Sequence, residues 1–429
     1  MGFVLTLLYV SFAYLSPAAL FPELAQYRIQ LILAICALLA CVPELPRSRF
    51  GRTPQLYLLL GLTAAIATSN ILAKRWFGGT LPALESFLPN AVPLVLIGLT
   101  CRNLRRLRIL CVVLGCIAIY YIAVGARAYT AQDFQSAYIL MQGELPRIRG
   151  FASLNDPNDL AQFIIILVAL TWLLWRNGLS GKIGVLLFTA IFCFGIFLTH
   201  SRGATVALAA IVLFHFKDRV GAALSVVLAG GLFVLTKLLQ FSGGRSISAD
   251  SGADRMAAWG VGLQFFKSSP LFGIGFNQFA ENYEITAHNS FVLCLAELGA
   301  LGYFFWMALL VFTIMQLTAI MRADCTTGEP EGETPARRSN DAADVKRWAR
   351  ALRISMVGFL VAGWFLSRTY TITLYILLGM VIAVVRMSKS IELDQEKQPT
   401  VGLMLNRTMI FEALSIVAIY GLLRIRWLL

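Results

Sequence analysis

The stretch IGVLLFTAIFCFGIFLTHSRGATVALAAIVLFHF, residues 183 to 216, contains two apolar runs on either side of a short polar junction, residues 199 to 202. A bilayer core about 30 Å thick needs roughly 20 apolar residues in each crossing helix. The first run is close to that length and the second is shorter. The stretch therefore predicts two membrane helices joined by a tight turn at the membrane surface.

Apolar runs of this kind recur along the whole chain of 429 residues, of which 58% are apolar and 14% charged, with mean hydropathy +0.73. These values lie outside the range of ordinary soluble domains. They predict an all-α polytopic membrane protein, a single membrane domain over 1–429 with about 12–13 transmembrane helices. A twelve-helix version, in which the last segment lies on the membrane surface, is the alternative. The candidate spans are 1 to 20, 27 to 43, 54 to 73, 84 to 100, 107 to 125, 159 to 175, 183 to 199, 203 to 216, 220 to 239, 288 to 321, 352 to 367, 371 to 386 and 408 to 423.

The basic residues indicate how the chain is oriented. With a cytoplasmic N-terminus, the inner loops are short and basic, as the positive-inside rule requires. The 36 Lys and Arg residues, which give a formal net charge of +13, are scattered over many loops and form no single stripe. Nucleic acid is therefore not an expected partner. The inner loops carry Arg47, Arg49, Arg52, Arg102, Arg105, Arg106, Arg108, Arg176, Lys182, Lys217 and Arg219.

Three segments between spans are longer than simple connections. Residues 126–158 and 240–287 are predicted to be outer loops. Residues 322–351 are predicted to be a cytoplasmic loop, and their part from 324 to 344 is expected to be flexible because it is polar. The second outer loop is rich in aromatic residues. In it, Met256, Trp259, Leu263 and Phe266 recur at helical spacing, and this predicts an amphipathic helix at the interface that ends before Pro270.

The polar residues at the outer boundary form a group on one face of the predicted bundle. They are His200, Ser201 and Arg202 at one helix junction, the two outer loops, and His288, Asn289 and Ser290 at the start of another span. Two of the three histidines of the chain belong to this face. A functional site is therefore expected there.

Three pieces of sequence on this face carry a resemblance to a known family. The run from Thr199 to Ala204 looks like its Ser-Arg-Gly signature, and the other two pieces follow in the family's order and approximate spacing. Together they cover about 199 to 302 and resemble the bacterial O-antigen ligase and polysaccharide polymerase superfamily. The second piece is Asp254, Arg255, Trp259, Pro270, Leu271, Phe272, Gly273, Ile274 and Gly275; the third is His288, Asn289, Ser290, Phe291, Glu297, Leu298, Gly299, Leu301 and Gly302.

The resemblance implies a GT-C-like membrane glycosyltransferase of the bacterial inner membrane with its active site facing the periplasm. Its donor is a glycan on a polyprenyl (undecaprenyl) diphosphate, and its acceptor a hydroxyl of a glycan or of lipid A core. Besides these two substrates, only membrane lipids are expected partners. The leaving diphosphate needs fixed cations or a metal. The outer loops offer arginines and no Asp-x-Asp pair, so the expectation is a metal-independent reaction without a cofactor. In-line displacement at the anomeric carbon predicts inversion.

Residue roles follow from this reaction. Arg202 and Arg255 are the expected diphosphate clamp, with Arg147 and Arg149 as helpers, because a guanidinium fork matches phosphate oxygens. His288 is the expected catalytic base and His200 the runner-up, because a neutral imidazole accepts a proton near neutral pH. The supporting residues are Asn289, His200 and Glu297.

Each role has a plainer alternative. Arg202 can snorkel to the interface, Arg255 can neutralise Asp254 or Asp250, and His288 with Asn289 can form an ordinary helix cap. Glu297 lies inside a span and can make a structural hydrogen bond. For the whole chain, the alternatives are a protein O-oligosaccharyltransferase, a polysaccharide or lipid transporter or flippase, and a scaffold without catalytic activity.

Overall fold

The computed structural model describes residues 1–45, 50–74, 77–143, 145–174, 178–241, 243, 249–323, 335–391 and 399–428. Three basic residues used above for orientation, Arg47, Arg49 and Arg176, lie outside the described residues. Most of the described chain is helical. The helices are α1 (Gly2–Leu15), α2 (Pro17–Leu20), α3 (Ile29–Cys41), α4 (Pro54–Lys74), α5 (Thr80–Thr100), α6 (Leu104–Thr130), α7 (Pro157–Thr171), α8 (Leu179–Thr199), α9 (Arg202–Val220), α10 (Ala222–Leu238), α11 (Ala249–Ser268), α12 (Phe279–Asn282), α13 (Ser290–Arg322), α14 (Pro335–Gly363), α15 (Ile372–Ser390) and α16 (Val401–Leu428).

Many of these helices have the length and composition of membrane spans. Within the described ranges, nine helical segments are long and apolar enough to cross a bilayer, and α7 and α10 are shorter apolar helices. The remaining two predicted spans fall in α9 and α14, which are long helices with charged residues. The prediction of an all-α polytopic membrane protein is confirmed.

Two helices form the centre of the bundle. Almost every residue of α7 from Pro157 to Thr171 is buried, and so is nearly all of α15. In contrast, α10 buries only Ser225, Ala229 and Thr236 and packs mainly against α9. The core therefore lies around α7 and α15, while one face of α10 is left for lipid.

α13 is broken at Gly299, where φ is 61° and ψ is −168°. The backbone groups that the break leaves free pair with the loop after α11: the N–H groups of Ile274 and Gly275 donate to the carbonyls of Ala296 and Glu297, both at 3.0 Å, and the Ala300 N–H donates to the Pro270 carbonyl at 2.8 Å. Such pairing is required wherever irregular backbone is buried in a membrane protein.

Glycine is required at this contact because the two backbones touch. A Cβ at Gly299 would lie 2.4 Å from the Leu271 carbonyl carbon, and one at Gly273 would lie 2.3 Å from the Glu297 carbonyl carbon. The segment 270–275 and the break in α13 therefore form one interlocked unit, which we call the backbone clasp (residues 270–275 with 296–301).

α5 contains two prolines, and a neighbouring helix compensates for one of them. Pro93 has no N–H to donate to the Pro89 carbonyl four residues earlier. The Tyr9 hydroxyl of α1 donates to that carbonyl instead, at 2.6 Å. α5 thus keeps a fixed position beside the segment 276–279.

The end of the bundle predicted to be cytoplasmic is joined by ion pairs. Arg102 pairs with Glu44 at 2.8 Å and Arg108 with Asp344 at 2.9 Å. These pairs connect separate helix ends across the predicted inner surface.

The outer and inner segments contain more structure than the sequence predicts. In 126–158, α6 continues to Thr130 and a two-stranded antiparallel hairpin follows, β1 (Ile139–Gln142) with β2 (Leu145–Ile148) and Ile139 opposite Ile148. In 324 to 344, where a flexible loop is expected, α14 already begins at Pro335. Its buried Val345 and Trp348 pack into the core, which explains why the helix extends beyond the apolar run.

A helix lies in 240–287, as α11 (Ala249–Ser268). Its Trp259 side chain is buried and donates to the Ala287 carbonyl at 3.0 Å. Because α11 begins at Ala249, Arg255 lies in its second turn.

Candidate functional site

Two cavities open on the face that carries the β-hairpin and α11. The first has a volume of about 600 Å³, and we call it the basic cavity because Arg202, Arg255 and Lys237 line it. The second has a volume of about 810 Å³, and we call it the acidic cavity because Asp156 and Glu281 line it. Four residues line both, so the two cavities share a wall: Asp156, Asn158, His288 and Leu366.

Arg202 and Arg255 both line the basic cavity. Arg202 is the first residue of α9, where the Ser201 side chain caps the helix by accepting from the Ala204 N–H at 3.4 Å. Burial, and secondly the charge of Arg202, lowers the pKa of Arg255. Two guanidinium groups thus repel each other across one cavity, and an anion between them would remove that repulsion.

Arg147 also lines the basic cavity, but its guanidinium group is buried and engaged by protein acceptors. It donates to the Thr199 carbonyl at 2.7 Å, to Gln142 at 2.6 Å and to Asn158 at 2.9 Å. These contacts join the end of α8, the β-hairpin and the start of α7. Arg147 therefore fixes the wall of the cavity near Arg202.

Arg149 and His200 lie outside the lining of both cavities, and so does Asn289, which is described below with α13. The Arg149 side chain is directed to the hairpin, where it donates to the Ala137 carbonyl at 3.0 Å. His200 ends α8 in a left-handed conformation, is 3% exposed, and has its Nδ1 3.3 Å from the Phe241 carbonyl oxygen. Both residues support the elements that form the basic cavity.

His288 lies in the wall between the two cavities, just before α13. Burial is the largest cause that lowers its pKa, followed by the nearby charge of Arg255; Arg368 acts in the same direction, and Asp156 opposes them. The imidazole is therefore kept neutral, with a ring nitrogen able to accept a proton.

Asn289 and Ser290 hold the segment around His288 in place. The Asn289 side chain caps α13 by accepting from the N–H groups of Phe291 at 2.9 Å and Val292 at 3.1 Å. The Ser290 hydroxyl donates to the Leu366 carbonyl at 2.6 Å and accepts from the Arg368 N–H at 2.9 Å. Asn289 is therefore the helix cap that the plainer alternative predicts. The two bonds of Ser290 hold the neighbouring His288 beside the loop after α14.

Glu297 is buried and lines the acidic cavity. Its carboxyl group accepts from the Phe279 N–H at 3.2 Å, and its backbone carbonyl belongs to the backbone clasp. The structural hydrogen bond considered for this residue is therefore present.

Arg368 and Asp159 form an ion pair on this face that the sequence analysis does not single out. Both nitrogens of the Arg368 fork donate to the two carboxylate oxygens of Asp159. Arg368 lines the acidic cavity, and Asp159 is 5% exposed at the start of α7. An arginine in a short outer connection between two predicted spans is the signal in the sequence that could have indicated it.

Residues 185–307 match the family model described as O-antigen ligase. We call residues 185–307 the O-antigen ligase segment, after the family model that they match. The predicted resemblance over 199 to 302 is confirmed. No curated protein matches the chain.

The O-antigen ligase segment runs from α8 into α13 and supplies Arg202, Arg255 and His288. Other residues of the site come from outside it: Arg147 and Asp156 precede the segment, and Arg368 follows it. The family supports a membrane enzyme of the ligase or glycosyltransferase type, with a lipid-linked glycan donor and a glycan acceptor.

The site combines a cationic cavity with a neutral imidazole at its edge. Fixed guanidinium groups stabilise a leaving diphosphate, and an imidazole accepts a proton from a nucleophile. Among the described residues, no group of three or more His, Cys, Asp or Glu side chains is arranged to hold a metal ion. Among the described residues, Arg202 and Arg255 are positioned to stabilise negative charge on a diphosphate in the basic cavity.

Proposed function

We propose that the protein transfers a glycan from an undecaprenyl diphosphate carrier to a hydroxyl acceptor at the periplasmic face of the bacterial inner membrane, as an O-antigen ligase or polysaccharide polymerase. The observation that carries the proposal is that Arg202, Arg255 and His288, which all belong to the O-antigen ligase segment, line one cavity.

The reaction is a single displacement at the anomeric carbon. The acceptor hydroxyl oxygen forms the new bond to that carbon while the bond from the carbon to the diphosphate oxygen breaks. The electron pair of that bond leaves with the diphosphate, and the hydroxyl proton passes to His288. Attack opposite the leaving group inverts the anomeric configuration.

Arg202 and Arg255 hold the diphosphate and stabilise the charge that develops on its oxygen. A guanidinium group stays charged near a membrane and binds phosphate oxygens in pairs. We assign this role to the arginines and require no metal ion for it. Arg147 positions Arg202 through the end of α8, and Arg149 supports the hairpin.

Lys237 adds a further positive charge to the basic cavity, near the end of α10. Its ammonium group lies 5.5 Å from the centre of the Phe233 ring, which also lines the cavity. This position suits contact with a donor that enters from the lipid side, because the stem of a lysine can lie along apolar surface.

Replacement of Arg202, Arg255 or His288 by Ala tests the proposal. Glycan transfer from an undecaprenyl diphosphate-linked oligosaccharide should fall by about 100-fold or more in each variant, as is typical of lost transition-state contacts. Donor binding should weaken in the two arginine variants and remain in His288→Ala.

Arg127→Ala is the matched control, because Arg127 is an exposed arginine near the end of α6 that lines neither cavity. Its transfer activity should equal that of the unmodified protein. Full transfer by His288→Ala, or movement of the intact lipid-linked donor across the membrane without any transfer, would count against the enzyme and for a transporter.

A further inference from the structure

We infer that the acidic cavity binds the acceptor, and that it selects a neutral or amino-bearing saccharide over a phosphorylated one. The inference rests on the proposed function, because it assigns the donor diphosphate to the basic cavity.

The shared wall puts the two substrates on opposite sides of the base. Asp156, Asn158, His288 and Leu366 line both cavities, whereas Arg202 and Arg255 line only the basic one. A hydroxyl that reaches His288 from the acidic cavity is on the far side of the anomeric carbon from a diphosphate held by the arginines. This is the arrangement that a direct displacement needs.

The two cavities differ in the balance of positive and negative side chains that line them. Of the described residues, the basic cavity has four Lys or Arg side chains (Arg147, Arg202, Lys237, Arg255) against two carboxyl groups (Asp156, Asp254). The acidic cavity has one arginine, Arg368, which is paired with Asp159, against the carboxylates of Asp156 and Glu281. Glu297 also lines this cavity, but it is buried and its carboxyl group accepts from the Phe279 N–H.

The single arginine of the acidic cavity offers little attraction to an anion. Arg368 is already paired with Asp159 through its Nε and Nη2 atoms, so its charge is largely neutralised, and its side chain is 38% exposed. A phosphate group entering here would meet Glu281 and Asp156 without an unpaired cation among the described lining residues. Like charges placed together at a binding surface disfavour the wrong partner.

The neutral part of the lining suits a sugar. Asn277 donates to the Ser86 hydroxyl at 3.3 Å, and both side chains are exposed at the cavity with Asn90 nearby. Behind these groups the buried Phe276 packs against Tyr370, with ring centres 4.7 Å apart, and the two rings form an apolar part of the wall. A few amide and hydroxyl groups on an otherwise apolar wall are the usual lining of a site for an uncharged polar ligand.

The test uses the full chain in lipid nanodiscs and two acceptors, a neutral oligosaccharide and the same oligosaccharide with one phosphomonoester. Equilibrium binding of each acceptor is measured without donor, and transfer is measured separately with a polyprenyl diphosphate-linked oligosaccharide. The unmodified protein should bind the neutral acceptor about fivefold more tightly or better.

Glu281→Lys should strengthen binding of the phosphorylated acceptor by about threefold to tenfold and leave the KM for the donor unchanged. Glu284→Lys is the matched control: Glu284 is exposed in the same loop and lines neither cavity. It should change neither value.

The two proposals fail in different ways. Equal or tighter binding of the phosphorylated acceptor by the unmodified protein, or identical effects of Glu281→Lys and Glu284→Lys, would overturn the assignment of the acidic cavity even if transfer is observed. Selective binding of the neutral saccharide without any transfer would support the cavity as a saccharide site and overturn the proposed reaction.

Discussion

At the scale of single residues, His288 is the residue whose surroundings explain its proposed role most directly. It lies between two arginines, Arg255 and Arg368, and one carboxylate, Asp156. Burial and the arginines favour the neutral ring, and the carboxylate favours the protonated one. The balance of these effects sets the pH at which the ring can accept a proton.

The pKa of His288 predicts the acid side of the pH profile. Transfer should rise with pH as His288 loses its proton, with a midpoint below about 6.5 because the pKa is lowered from its ordinary value. Asp156→Asn removes a charge that raises this pKa, so the midpoint should move to lower pH. The asparagine can still cap α7. Rates measured between pH 4 and 8 check this, and a shift to higher pH would contradict it.

The pair formed by Arg368 and Asp159 should contribute to stability. Arg368→Ala leaves a buried carboxylate without its partner, and we expect a loss of about 2 kcal/mol. This is less than the roughly 3–5 kcal/mol typical of a fully buried pair, because Arg368 is partly exposed.

The double variant Arg368→Ala with Asp159→Asn should regain part of this stability, because the unpaired charge is gone. Thermal unfolding in detergent measures all three proteins. Equal losses in the single and double variants would show that the unpaired Asp159 carboxylate costs nothing and would contradict the prediction.

At the scale of elements, the backbone clasp connects the loop after α11 to α13. Two of the sequence pieces that carry the family resemblance, 270–275 and 297–302, meet there. The glycines of these two pieces allow the two backbones to approach each other closely. The side chains proposed for the reaction, Arg202, Arg255 and His288, lie elsewhere in the O-antigen ligase segment.

Gly299→Ala should weaken this connection strongly. The residue has φ of 61° in a region open almost only to glycine, and a Cβ would lie 2.4 Å from backbone. The strain alone costs about 1–3 kcal/mol. Gly230→Ala, in α10 with nothing within 4 Å of the added Cβ, is the control and should be neutral or slightly stabilising. Unfolding of both variants in detergent gives the comparison, and equal stabilities would rule out the steric argument.

The elements that the sequence predicts well are those with a local signal. The apolar runs predict the spans, the polar junction at Ser201 predicts the turn between α8 and α9, and the spacing of Met256 and Trp259 predicts α11. The pairing of Arg368 with Asp159 joins residues 209 positions apart, and the break at Gly299 depends on a partner loop. Neither has a periodic signal, so both needed the three-dimensional structure.

At the scale of the whole molecule, the polar groups are divided between the two ends of the bundle. Ion pairs such as Arg102 with Glu44 join the helix ends at one end, and both cavities open at the other. The proposed chemistry requires that the second end faces the periplasm.

Labelling of single cysteines tests this orientation in a cysteine-free background. Glu281→Cys, at the acidic cavity, should react with a membrane-impermeant maleimide in intact spheroplasts. Asp341→Cys, an exposed position in α14 near the opposite end, should react only after permeabilisation. The reverse pattern would place the cavities in the cytoplasm and exclude a periplasmic transfer.

The sparse packing of α10 has a consequence for how the donor arrives. This helix contacts the bundle mainly through α9 and buries only three residues, yet its Phe233 and Lys237 line the basic cavity. The wall between that cavity and the hydrocarbon is thus one helix thick at this point. The donor that we propose would therefore have to pass only this helix to bring its diphosphate in from the bilayer, and its long tail would stay dissolved in lipid while it reacts.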